Sequence, residues 1–174
     1  AQALRPNYTP GLNLLARIEL QRQQFANAEF WVEQGLRYKP DSASLLYSAG
    51  HIALVQGKLN IAEQYFEQSA AISRVATKAV HSLAHVKLLQ GDHVEAFRHY
   101  RELIKTNAHD AQIRSKLFEA CSAISADFYA EELEDDLLRY LDFSDVDHSQ
   151  LRPLATSLLQ HKLRLSDAGC PLNL

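Results

Sequence analysis

Apolar side chains along this chain recur at three- and four-residue steps. The stretch 44–72, SLLYSAGHIALVQGKLNIAEQYFEQSAAI, shows the pattern most clearly. That spacing places the apolar residues on one face of a helix. Gly57 interrupts it midway, so the unit predicts helix, turn, helix. In the next unit Asp92 stands three residues before Glu95, the spacing of a capping box at the start of a second helix. Pro40-Asp41-Ser42 closes the unit before and offers caps for the helix that follows.

The units repeat. Ala28, Ala62, Ala96 and Ala130 recur every 34 residues. Four residues after each come Val32, Phe66, Tyr100 and then Glu134. Gly57 and Gly91 keep the same step. So do Leu15-Ala16, Ala49-Gly50 and Leu83-Ala84, each preceded at three residues by Leu12, Leu46 and Val80. Several independent positions share one period, which marks a repeat architecture. Small residues at Ala49-Gly50 and Ala62 allow two helices to approach closely, and Phe66 fills the space between neighbouring pairs. One such pair cannot bury its own apolar face, whereas stacked pairs bury a continuous core.

This pattern resembles the tetratricopeptide repeat, a helix–turn–helix of about 34 residues. Leu46, Ala49-Gly50, Ala62 and Phe66 carry the resemblance in one unit. Val80, Leu83-Ala84, Ala96 and Tyr100 carry it in the next, and Leu12, Leu15-Ala16, Ala28, Val32 and Pro40 in the first. The sequence departs from the family pattern in three ways. The initial tryptophan is absent, the tyrosine place holds Glu19, Ala53 and Lys87, and only Pro40 keeps the proline. The resemblance implies an all-α, right-handed α-solenoid of antiparallel helix pairs. The expected units are 9–42, 43–76 and 77–110, with a degenerate fourth at 111–143, so that residues 1–143 form the repeat region. A packing or capping helix is expected at 144–166 and a tail at 167–174.

The C-terminal third is acidic. Residues 127–147 hold nine acids and the single base Arg139, which leaves the rest of the chain net positive by five. Asp127 offers a cap for a helix to about Leu141, with Ala130, Leu133, Leu137 and Leu141 as its buried stripe. The acids then read first as a solvated face with two caps, and second as a docking surface for a basic partner. Leu151, Leu154, Leu158 and Leu159 give the last helix an apolar face, with Pro153 tolerated in its first turn. Residues 137–163 also resemble a connector of bacterial multidomain proteins, in which such repeats precede a methyltransferase that uses S-adenosylmethionine.

Composition agrees with a globular helical chain. Of 174 residues, 47% are apolar and 22% charged, with few glycines (6) and prolines (5). The net charge of −3 gives no overall basic field for nucleic acid or anionic lipid. No apolar run approaches the roughly 18 residues of a membrane-spanning helix. Cys121 and Cys170 are too few for a disulfide scaffold, and Cys121 is expected to be buried. No signal peptide opens the chain, and the cytoplasm is the expected compartment. Methionine is absent, initiator included, and Leu172-Asn173-Leu174 ends without a polar cap. Both features predict a processed chain or a piece of a longer one.

Catalytic signatures are absent from the sequence. No two glycines fall within six residues, so there is no phosphate-binding Gly-rich loop, and neither G-x-S-x-G nor His-Glu-x-x-His occurs. No cofactor, catalytic residue or metal ligand is therefore assigned. His81 and His85, with His51 nearby, have spacing that could ligate zinc, but such sites usually add a carboxylate or cysteine and a second shell, and Glu119 is the only acid on that surface to do so. Trp31 is expected to pack between helices.

A binding surface is the better prospect. In a stacked array the first helices line the concave face, and positions 34 apart stand side by side. Asn13 and Arg17 share one face by i, i+4 spacing, Tyr47 and His51 follow one repeat on, and His81 and His85 one further. Ser115 and Glu119 continue the series, and Leu20, Leu54 and Leu88 extend the stripe. With Lys78, these residues predict a groove for an extended peptide or short helix. Tyrosine and leucine supply contact area, and Arg17, Lys78 and the histidines supply hold on acidic groups. The expected function is a non-catalytic protein–protein interaction module. Two alternatives stand beside it: the N-terminal recognition part of a larger bacterial enzyme, and a self-assembly module that pairs copies through the terminal helix.

Overall fold

The computed structural model describes residues 8–72, 77–107 and 110–124. Every element among them is an α-helix. In chain order these are α1 (Thr9–Gln21), α2 (Phe25–Tyr38), α3 (Ala43–Val55), α4 (Leu59–Ile72), α5 (Thr77–Gln90), α6 (His93–Thr106) and α7 (Ala111–Ala123). Each helix packs on the next, and first helices also touch one another, α1 against α3 and α5 against α7. The result is an all-α solenoid. The acidic segment 127–147, the connector 137–163, the helix at 144–166 and the tail lie outside the described residues.

The repeating alanines explain the packing. Ala28, Ala62 and Ala96 are each 0% exposed, where two helices of a pair cross. Val32, Phe66 and Tyr100, one turn on, are also buried. The core falls into three clusters along the stack, each of which joins one pair to the helix or pair that follows. Ala16, Ala28 and Val32 pack with Ala49 and Ile52 of the following pair, and Trp31 is half-buried against them. Ala53, Ala62 and Phe66 pack with Leu83 and Val86. Ala84, Ala96, Phe97 and Tyr100 pack with Ile113, Leu117 and Cys121 of α7. No pair could bury these faces alone.

Polar contacts repeat with the same step. Gln56 donates to Glu29 at 2.9 Å, and Gln90 donates to Glu63 at 2.7 Å. Both bonds join the end of a first helix to the second helix of the pair before. Lys87 adds an ion pair to Glu63 at 2.5 Å. Helix starts follow the sequence in part. Asp92 accepts from the Glu95 backbone N–H at 3.2 Å, and Asp110 accepts from Gln112 and Ile113 at 2.9 and 3.2 Å. Ser42 stands at the N-cap of α3, but its side chain makes no capping bond and lies 3.3 Å from the Ser44 hydroxyl instead.

The turns between paired helices need a left-handed residue. Gly57 and Gly91 fill that place with φ of 74° and 80°. The first turn puts Gln23 there, 34 residues before Gly57, with φ of 60°. A side chain in this region clashes with its own backbone, which glycine avoids. Gln23→Gly is therefore expected to stabilise the chain by about 1 kcal/mol. Urea unfolding checks this; an unchanged or lower midpoint would contradict it.

Candidate functional site

The first helices line an open cavity of about 830 Å³ along α1, α3 and the start of α5. Asn13, Arg17 and Leu20 enter it from α1, Tyr47 and His51 from α3, and Lys78 from α5. The i, i+4 spacing within each helix and the 34-residue step between helices bring these six expected residues together. Ser48 donates a 2.6 Å hydrogen bond to Asn13 Oδ1 and ties α3 to α1 within the wall. The bond leaves the Asn13 amide N–H groups as donors for an incoming carbonyl. Arg17 and Lys78 are exposed, and no Asp or Glu stands among the lining residues. The cavity is thus positively charged within a chain of net charge −3.

His81 and His85 do not join this cavity. They line a second one of about 450 Å³ with Tyr100, Gln112, Ser115 and Lys116. The groove expected to be continuous is divided between two hollows. Three further expected residues line neither. Leu88 is only 8% exposed in the core around Phe97 and Tyr100, so it is a packing residue and not a groove contact. The cause is its neighbours: three residues beyond His85 the chain meets α6 and α7, whose side chains cover Leu88. Leu54 is half-buried against the Ala53–Phe66 cluster. Glu119 is exposed and accepts from Lys116 at 2.6 Å.

The sequence reading missed Gln112, Lys116 and Ser44. Ser44, Lys78 and Gln112 are 34 residues apart, so extending the stripe one turn towards the helix N-termini finds two of them. Lys116 carries no such signal.

Rings pack beneath both hollows. Tyr47 lies 5.6 Å from buried Phe66 and 5.4 Å from His51, centroid to centroid. Burial pushes the His51, His85 and His99 imidazoles below their ordinary value of 6.5. For His85, repulsion from Lys116 and His81 adds to burial, and Glu119 opposes it. Each group disfavours its charged form in the folded chain. Their contribution to stability is therefore whole above 6.5 and is lost as the pH falls below it. Glu63 is held below the usual carboxylate range by hydrogen bonds from Lys87 and Gln90, and Lys87 is raised by Glu63. That pair stays charged near neutrality and adds no slope there. The melting temperature is expected to fall between pH about 7.5 and about 5.5. A flat or rising profile measured by circular dichroism would contradict this.

No family model matches the chain, and no curated protein does. Solved structures match it by fold. The structure of MamA covers 87% of this chain and 81% of its own, with 16% identity and a TM-score of 0.64. YrrB, described as a tetratricopeptide-repeat protein with an unusual peptide-binding site, covers 84% of this chain and 66% of its own at 16% identity and a TM-score of 0.60. The second tetratricopeptide domain of human RPAP3, solved with the HSP70 peptide SGPTIEEVD, covers 64% and 97% at 14% identity and a TM-score of 0.57. The chain has the tetratricopeptide-repeat fold. Among the described residues no helix is long and apolar enough to cross a membrane.

Proposed function

We propose that this chain is an interaction module that holds an extended peptide or protein segment along its concave face. The observation that carries the reading is the 830 Å³ open cavity, built from equivalent faces of three successive first helices. Tyr47, His51 and Leu20 offer apolar and aromatic area, and Asn13 offers backbone-type hydrogen bonding. Arg17 and Lys78, with no acid beside them on the wall, favour a segment that carries carboxylates. The peptide-bound RPAP3 domain and the peptide-binding site of YrrB support the choice of ligand class. The repeat limits 9–42, 43–76 and 77–110 belong to the same proposal. The enzyme-linked and self-assembly alternatives rest on 137–163 and on the terminal helix, outside the described residues.

Selection from a displayed random-peptide library tests the reading. Acid-containing binders are expected, and they should shift amide resonances of α1 and α3 and leave the outer face of α4 unchanged. Recovery of no binder, or shifts confined to the outer face, would overturn it.

A further inference from the structure

The wall shared by α5, α6 and α7 differs in chemistry from the one before it. In the second pair, Tyr47 and His51 stand against Phe66, with centroids at 5.6 and 6.3 Å. One repeat on, the equivalent places hold His81, His85 and Tyr100, and His81 meets the Tyr100 ring edge-on at 5.8 Å. Exchanging Tyr for His and Phe for Tyr turns an apolar rung into a polar one. The hollow beside it, about 450 Å³, adds Gln112, Ser115 and Lys116 from α7.

Two observations show what this hollow lacks. The Tyr100 side chain is 0% exposed, and among the described residues no group accepts a hydrogen bond from its hydroxyl. Burial, and then the nearby Glu119 charge, push the phenol up, so it remains a donor at any ordinary pH. The basic groups also crowd one another. After burial, Lys116 and His81 are the main influences holding the His85 imidazole neutral. Glu119 is the acid that faces them, and it already accepts from Lys116 at the exposed rim. An unmet donor among mutually repelling basic groups is satisfied by an acceptor that carries negative charge.

We infer that the α5–α6–α7 cavity is a pocket for one carboxylate side chain, Asp or Glu, of the segment bound along the groove. The inference rests on the peptide reading above and gives it an anchor and a place. Ser115, Lys116 and the two imidazoles supply the donors around the carboxylate, and Tyr100 supplies the buried one.

The test uses small probes and the whole chain. Acetyl-Ala-Glu-Ala-amide carries the side-chain acid with both ends blocked. Acetyl-Ala-Gln-Ala-amide removes the charge, and acetyl-Ala-Ala-Ala with a free end offers only a terminal carboxylate. The imidazole resonances of His81 and His85 are followed by NMR near pH about 6.5. The Glu probe is expected to saturate and to move the His85 titration to higher pH. The Gln probe, and the Glu probe on Tyr100→Phe or on Lys116→Gln, should bind about tenfold more weakly, with helix content unchanged. The Lys116 variant keeps the test decisive if Tyr100→Phe fails to fold. Equal effects of the Glu and Gln probes, no saturation, or full binding by the Lys116 variant would overturn the inference. Saturation by the free-ended probe alone would also overturn it, by making this a site for a chain end. A chain that selects peptides but ignores the Glu probe sinks only this inference. A chain that takes the Glu probe but selects no peptide sinks only the reading beneath it.

Discussion

Phe66→Ala is expected to destabilise the chain by about 3–5 kcal/mol, the range for removing a buried aromatic ring. Phe66 is 0% exposed and sits at the centre of the cluster that joins the second and third pairs. Its ring lies so close under Gly50 that a Cβ there would stand 2.7 Å from Cε1. Gly50 has no side chain to fill the space that the ring leaves, so a cavity is expected to remain and to add to the cost. Against a typical domain stability of about 5–15 kcal/mol, the loss is large. Phe66 also supports Tyr47 and His51 from beneath. Binding along the groove should therefore weaken with stability in this variant. Urea unfolding is the measurement, and a change below about 1 kcal/mol would remove Phe66 from the core.

Ala62→Leu is the second large effect, a loss of about 3 kcal/mol, at the upper end for overpacking. Ala62 is 0% exposed among Ala53, Phe66, Leu83 and Val86. Three added heavy atoms have no space there unless α3 and α4 move apart. Gln64→Leu on the same helix is the control. Gln64 is exposed, and that change should stay within about 0.5 kcal/mol. The pair of variants reads the phase of the repeat directly. Equal melting of both would mean that the face assigned to the core is wrong.

The stacking was legible because it rests on small residues at fixed places. Ala28, Ala62 and Ala96 could be placed at helix crossings from the 34-residue step alone, and all three are fully buried. Asp92 and Glu95 announced a cap that forms. The groove was less legible, because its walls depend on what each side chain packs against. Leu88 shares the stripe of Leu20 by register, yet α6 and α7 cover it. His51 and His85 occupy equivalent places, but Phe66 stands against one and Tyr100 shares the hollow of the other, and the two histidines line separate hollows. Lys116 was invisible because the family pattern fades over α7. Gln23 takes the turn conformation that Gly57 and Gly91 signal, and a glutamine gives no such sign.

Charge reversal within the groove tests the central claim most directly. Arg17→Glu with Lys78→Glu leaves the core untouched, because both side chains are exposed on the cavity wall. Two charge-assisted hydrogen bonds are removed and repulsion is added, which amounts to about a hundredfold loss or more in affinity. The measurement is fluorescence anisotropy of an acidic peptide selected on the unmodified chain, beside a melt of each protein. The account predicts that affinity for that peptide falls by about a hundredfold while the melting temperature stays within a few degrees. Undiminished binding by the double variant would place the peptide elsewhere and contradict the assignment of the concave face.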